Sequence, residues 1–159
     1  MLIGVISDTH DNMPQIDKAV DLFNARKVGH VIHAGDFTSP FTFRILKNLD
    51  AAFTGVFGNN DGDKLLLSKM SGGRVFPQPH TFQLAEKRIV VIHEHHIAEA
   101  LADSGHYDLV IYGHTHKPVV KKMKETLVVN PGEAGSWLYG KSTVALIDLG
   151  PMQAEILPL

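Results

Sequence analysis

Short apolar runs alternate with helical spacing along the first half of the chain. Leu2 to Ile6 is continuous and branched, the pattern of a strand buried on both faces. Ile16, Ala19, Val20 and Phe23 then keep the i, i+3, i+4, i+7 stripe of a helix with one apolar face. Asn12 suits the cap of that helix, Pro14 its first turn and Gly29 its close. His30 to His33 reads as a second buried strand. Ser39 and Pro40 open a helix carrying Phe41, Ile45, Leu46 and Leu49. Ala51 to Val56 reads as a third strand and Asp61 to Met70 as a short helix.

The second half changes character. Strands are expected at Phe82 to Leu84, Ile89 to Ile92, Leu109 to Tyr112, Val119 to Met123, Leu127 to Val129, Val144 to Leu149 and Met152 to Ile156, with one helix at Ile97 to Ala102. A βαβαβα half thus leads into a strand-rich half. No linker, repeat or low-complexity stretch divides them, so residues 1–159 are read as one domain with helices covering two stacked sheets, an α/β (α+β) architecture.

Five of these strands run into polar clusters: Ser7-Asp8-Thr9-His10, His33-Ala34-Gly35-Asp36, Gly58-Asn59-Asn60-Asp61, His93-Glu94-His95-His96 and Gly113-His114-Thr115-His116. Parallel strands bring their carboxyl ends to one edge, where α/β proteins bind ligands. Residues distant in sequence can therefore meet there. Gly35, Gly58 and Gly113 each precede a candidate and permit close approach of the backbone.

Composition sharpens that picture. The chain has no cysteine, which excludes disulfides and thiolate metal sites, and it has 10 histidines. Asp8, His10, Asp36, Asn59, His93, His114 and His116 offer oxygen and imidazole nitrogen, a donor set that suits Mn, Fe, Zn, Co or Ni. Seven ligands are too many for one ion and natural for two, which together can clamp a phosphate and activate water. Asp36, central in the set, is the expected bridge. The formal net charge is -2, from 15 Lys and Arg against 17 Asp and Glu. Such a balance argues against long nucleic acids and anionic membranes as partners. No apolar run approaches the roughly 20 residues that span a bilayer. The start does not read as a secretory signal, so a cytoplasmic protein is the expectation.

Asp8-x-His10, Gly35-Asp36, Gly58-Asn59-x-Asp61, the strand ending in His93, and Gly113-His114-x-His116 together resemble the calcineurin-like metallophosphoesterases, in order and across nearly the whole chain. Asn130-Pro131-Gly132 resembles a further signature of the small single-domain phosphodiesterase branch. The resemblance implies a four-layer αββα sandwich of two mixed sheets flanked by helices. It implies that Asp8, His10, Asp36 and His116 hold a first metal and Asp36, Asn59, His93 and His114 a second, manganese foremost. A hydroxide bridging the ions would attack phosphorus. Asp61 would steady a neighbouring ligand or the His114 region.

The chain departs from the family pattern at three places. Asn60 stands where many relatives carry a histidine that protonates the leaving group, and an amide donates a hydrogen bond but is no general acid. Glu94 replaces the glycine of a His-Gly-His motif, and Glu133 the serine after Asn-Pro-Gly. These changes point to small phosphodiesters with acidic leaving alcohols. Asn59, Asn60 and His95 are the candidate substrate contacts, with Asn60 and Asp61 at the catalytic step. The alternatives are a phosphomonoesterase or nuclease of the same family, and a non-catalytic scaffold on the same fold. His33 is read as a buried neighbour of the site, and His30 and His106 as surface. Trp137, Leu138 and Tyr139 form an apolar cluster suited to a loop anchor or a homo-oligomer contact.

Overall fold

A computed structural model describes residues 1–159. The chain runs β1 (Leu2–Ile6), α1 (Met13–Ala25), β2 (His30–His33), α2 (Phe43–Leu46), β3 (Ala52–Val56), α3 (Lys64–Met70), β4 (Val75–Phe76), β5 (His80–Leu84), β6 (Lys87–Val91), α4 (Ala98–Asp103), β7 (Leu109–Ile111), β8 (Val119–Met123), β9 (Thr126–Asn130), β10 (Thr143–Asp148) and β11 (Gln153–Pro158). Single 3₁₀ turns, Pro40–Thr42 and His95–Ile97, precede α2 and α4.

One sheet has the order β11-β10-β1-β2-β3-β4, with β1 to β4 parallel and β10 and β11 antiparallel. The other has the order β5-β6-β7-β9-β8, with β6, β7 and β9 parallel and β5 and β8 antiparallel at its edges. Both sheets are mixed, as expected.

Three apolar clusters define four layers. Ile3, Val5, Ile32, Ala145 and Ile147 of the first sheet pack against Ile89, Val91, Leu109, Ile111 and Val129 of the second. The first sheet's other face, with Ile6, Val31, Phe53 and Leu146, is covered by Ile16, Ala19, Val20 and Phe23 of α1, Leu46 of α2 and Leu67 of α3. The second sheet's other face, Val90, Val110 and Val128, is covered by Ala98 and Ala102 of α4. Strands with both faces buried must be apolar at successive positions, which explains the unbroken runs.

Three local expectations are corrected. The helix opened by Ser39 is shorter than expected: α2 ends at Leu46, and Phe41 is exposed. Asn24 of α1 bonds Asn48 O and Asp50 N, which fastens the chain just past α2 in a turn. α3 starts at Lys64 rather than Asp61, because Asp63 caps it while the Asp61 carboxylate is engaged elsewhere. His30 is no loop residue. It opens β2, half-buried, with Nε2 3.0 Å from Thr54 Oγ1. The two-residue β4 was too short for its pattern to be read.

Candidate metal centre

The parallel strands β1, β2 and β3 of one sheet and β6 and β7 of the other deliver their carboxyl ends to a single edge. Backbone bonds stitch the loops beyond them: Asp8 N–H donates to Gly35 O at 3.0 Å, His10 N–H to Asp36 O at 3.1 Å, and Gly113 N–H to His93 O at 3.1 Å. Five of the seven candidate ligands, Asp8, His10, Asp36, His114 and His116, have positive φ, at 52°, 41°, 60°, 65° and 58°. Non-glycine residues rarely adopt this region, and such residues persist where surrounding structure over-determines them. The glycines provide room. A Cβ at Gly58 would strike the Asp36 carboxylate, and one at Gly113 would strike Ser7 Oγ.

The side chains converge. Asp36 Oδ2 lies 3.4 Å from His93 Nε2 and 3.6 Å from His10 Nε2. Asp8 Oδ1 lies 3.4 Å from His116 Nε2 and 4.0 Å from His10 Nε2. Asn59 Oδ1 lies 2.9 Å from both His93 Nε2 and His114 Nδ1. Two groups, Asp8 with His10 and His116, and Asp8 with Asp36 and His93, each keep their ligand atoms within 4.8 Å of one another. All seven predicted ligands are therefore at one place, with Asp8, Asp36 and His93 buried.

The protonation of this cluster tests whether a cation fits it. His93 Nδ1 is 2.8 Å from Ala34 O, a carbonyl that can only accept, so Nδ1 carries the hydrogen. In the neutral ring Nε2 is then a bare lone pair facing the Asn59 oxygen and the Asp36 carboxylate. Too many acceptors face one another unless a proton or a cation sits among them. Accordingly, burial would lower His93, but its contacts with Asp36 and the nearby Asp8 hold it above the ordinary histidine range. Burial pushes the Asp8 carboxyl up, and Ser7 and the histidines offset it only in part. Burial would raise Asp36 too, but His93 and Asn60 hold it far below the usual carboxylate range. The donor atoms, all oxygen and imidazole nitrogen, fit a divalent ion.

Supporting residues fix these ligands. Asp61 accepts from Thr38 N–H and Gly58 N–H, each at 2.7 Å, tying the Asp36 loop to the Asn59 loop. It does not reach the His114 region. There Asn130 serves, donating from Nδ2 to Gly113 O at 2.9 Å and bonding Thr115 Oγ1 at 3.0 Å. His33 is fully buried, stacked on Phe37, and 3.1 Å from Thr9 Oγ1, as a buried neighbour should be. Asn60 donates to Asp36 from its backbone at 2.8 Å and from Nδ2 at 2.7 Å, so its amide faces the carboxylate. His95 is exposed and reaches the centre only by stacking on His114, with ring centroids 5.8 Å apart.

Two contributors went unread in the sequence. Gln78 Oε1 accepts from His93 N–H at 2.6 Å and Glu94 N–H at 3.1 Å, holding the loop after β6. Glu133, first read as a pocket-lining departure, is buried behind His116. Its Oε2 lies 3.2 Å from His116 Nδ1, off the line of a hydrogen bond, and Oε1 accepts from Trp137 N–H at 2.6 Å. The signal available was its place after Asn130-Pro131-Gly132; its target depended on the fold.

Comparison with known proteins agrees with this geometry. The family model for the calcineurin-like phosphoesterase superfamily domain matches residues 1–151. A phosphodiesterase of Methanocaldococcus jannaschii is 38% identical over 154 residues, covering 93% of each chain. The solved structure of an archaeal phosphodiesterase superimposes with a TM-score of 0.95 at 36% identity, over 100% of both chains. Vps29 of Entamoeba histolytica, solved with Zn²⁺, shares the fold at a TM-score of 0.73 and 23% identity, over 99% of each chain.

Proposed function

The chain belongs to the calcineurin-like phosphoesterase superfamily, and on that basis we propose that it hydrolyses phosphodiesters with two divalent cations. Asp8, His10, Asp36 and His116 would hold one cation and Asp36, Asn59, His93 and His114 the other. The observation that carries this reading is the position of Asp36 Oδ2, within 3.6 Å of a histidine on either side. A carboxylate so placed can be shared between two ions. When bound, the ions supply the positive charge that lowers the pKa of water and neutralises phosphoryl oxygens. Manganese is the ion we assign, and the cytoplasm the compartment.

The chain's own residues do the rest. Ala34 O fixes the His93 tautomer, leaving Nε2 free to ligate. Asp61 and Asn130 hold the ligand-bearing loops still, so no reorganisation is needed when charge develops. Asn60 can swing from Asp36 to a phosphoryl oxygen and donate a hydrogen bond there. It cannot protonate a leaving alkoxide. Substrates must therefore carry an acidic leaving alcohol, which favours activated diesters over ordinary monoesters.

Turnover of bis(4-nitrophenyl) phosphate with manganese, abolished by chelator, tests this reading. Asp36→Asn should lose most activity; full activity in that variant would remove the shared ligand. The Vps29 likeness raises a non-catalytic scaffold as the alternative, at the level of fold alone. Fewer than one ion bound per chain after manganese loading would favour the scaffold.

A further inference from the structure

Two clefts share His116 as a wall. One is lined by His10, Asn60, His116, Trp137 and Leu138, with a volume of about 380 Å³. The other is lined by His116, Lys117, Pro118, Tyr139, Lys141 and Thr143, with about 410 Å³. A phosphorus atom at the candidate metal centre would lie between them.

The clefts differ in chemistry. Trp137 is 64% exposed, yet it is held at two points. Its backbone N–H donates to buried Glu133, and its indole N–H donates to His10 O at 3.2 Å. An exposed indole fixed beside a reaction centre presents a preformed flat apolar wall, extended by exposed Leu138. The second cleft has two ammonium groups and no acidic lining residue. Lys117 and Lys141 make no ion pair, whereas Lys121, Lys122 and Lys124 on the nearby β8 hairpin are each matched to Glu99, Glu125 or Asp103. Two unmatched cations in one cleft complement a dianion.

We propose that the substrate is a phosphodiester with an aromatic alcohol on one arm, laid against Trp137 and Leu138, and a second phosphate on the other arm, held between Lys117 and Lys141. This rests on the phosphodiesterase reading above and names its substrate class. Both arms are needed: the aromatic arm places the leaving oxygen, and the remote phosphate anchors the retained half.

Trp137 is the only tryptophan, so its fluorescence reports occupancy directly. The manganese-loaded protein is titrated with thymidine 3′,5′-bisphosphate and with thymidine 5′-monophosphate, and both 4-nitrophenyl 5′-esters are assayed for turnover. The 3′-phosphate should tighten binding and raise kcat/KM by about tenfold at low salt, the preference shrinking as salt screens the lysines. Lys117→Ala with Lys141→Ala should abolish the preference. The ratio within one variant is insensitive to a general folding defect, which depresses both esters alike. Equal kcat/KM for the two esters in the wild type, or a preference that survives in the double variant, overturns the inference while leaving phosphodiesterase activity standing. Absence of turnover with every diester, bis(4-nitrophenyl) phosphate included, overturns both. A fluorescence change that follows protein concentration rather than ligand would assign the patch to a second copy of this chain, and likewise overturns it.

Discussion

Glu133 Oε2 lies 3.2 Å from Nδ1 of His116, whose Nε2 in turn lies 3.4 Å from Asp8. The same carboxylate accepts backbone N–H groups of Trp137 and Leu138. One buried side chain thus serves both the rear of a candidate ligand and the loop that carries the exposed aromatics.

Glu133→Ala should therefore loosen His116 and the Trp137 loop together. Carboxylates behind ligating histidines typically contribute about 10–100-fold in metal affinity or activity. A manganese-binding isotherm and diester kinetics check this. Glu133→Gln, which keeps an acceptor for Trp137 N–H, should fall in between. An alanine variant with wild-type manganese affinity would reduce Glu133 to a loop anchor.

Gly58→Ala should damage the centre without touching a ligand. The added Cβ meets the Asp36 carboxylate and backbone, which are pinned by Asn60 and Asp61 and cannot move away cheaply. Overpacking of this kind costs about 1–3 kcal/mol. Urea unfolding should show the loss, and manganese affinity should fall in parallel.

Manganese should raise stability measurably. The acceptors around His93 and Asp36 face one another at 2.9–3.4 Å, and a bound cation relieves that crowding in the folded state alone. An ion that binds only the native state at one hundred times its Kd adds about 2.7 kcal/mol. Thermal unfolding with manganese, and again with chelator, reads the difference. An unchanged Tm would contradict metal binding by the folded chain.

His30 supplies a pH test away from the centre. Burial lowers its pKa below the ordinary histidine value of 6.5. The unfolded chain therefore binds a proton before the folded one does, and stability falls as pH drops below about 6.5. The depressed group contributes its stability above the unfolded pKa and loses it as pH falls toward the folded pKa. Wild type should gain on His30→Gln as pH rises from 5 to 7 in urea unfolding at each pH. A pH-independent difference would show that His30 titrates normally.

Much of this protein follows from local sequence. β1, β2 and β8 run over the residues read for them, and α1 follows its apolar stripe with Asn12 as cap. These elements were legible because residue period and capping chemistry act over a few neighbours. The ligand set was legible for a similar reason: carboxylate, amide and imidazole groups cluster just past buried strands, and no sulfur competes. What lay between those residues was not. Nothing local fixes the order β5-β6-β7-β9-β8, the left-handed backbone at Asp8, His10, Asp36, His114 and His116, or the burial of Glu133 behind a histidine 17 residues earlier in the chain. Asp61 likewise bonds Thr38 rather than the His114 region, and Trp137 finds its partner at His10. Sequence set which chemistry was present and which segments were strands. Tertiary packing alone decided which groups touch, because strand order and loop approach depend on long-range burial that no short window of residues contains.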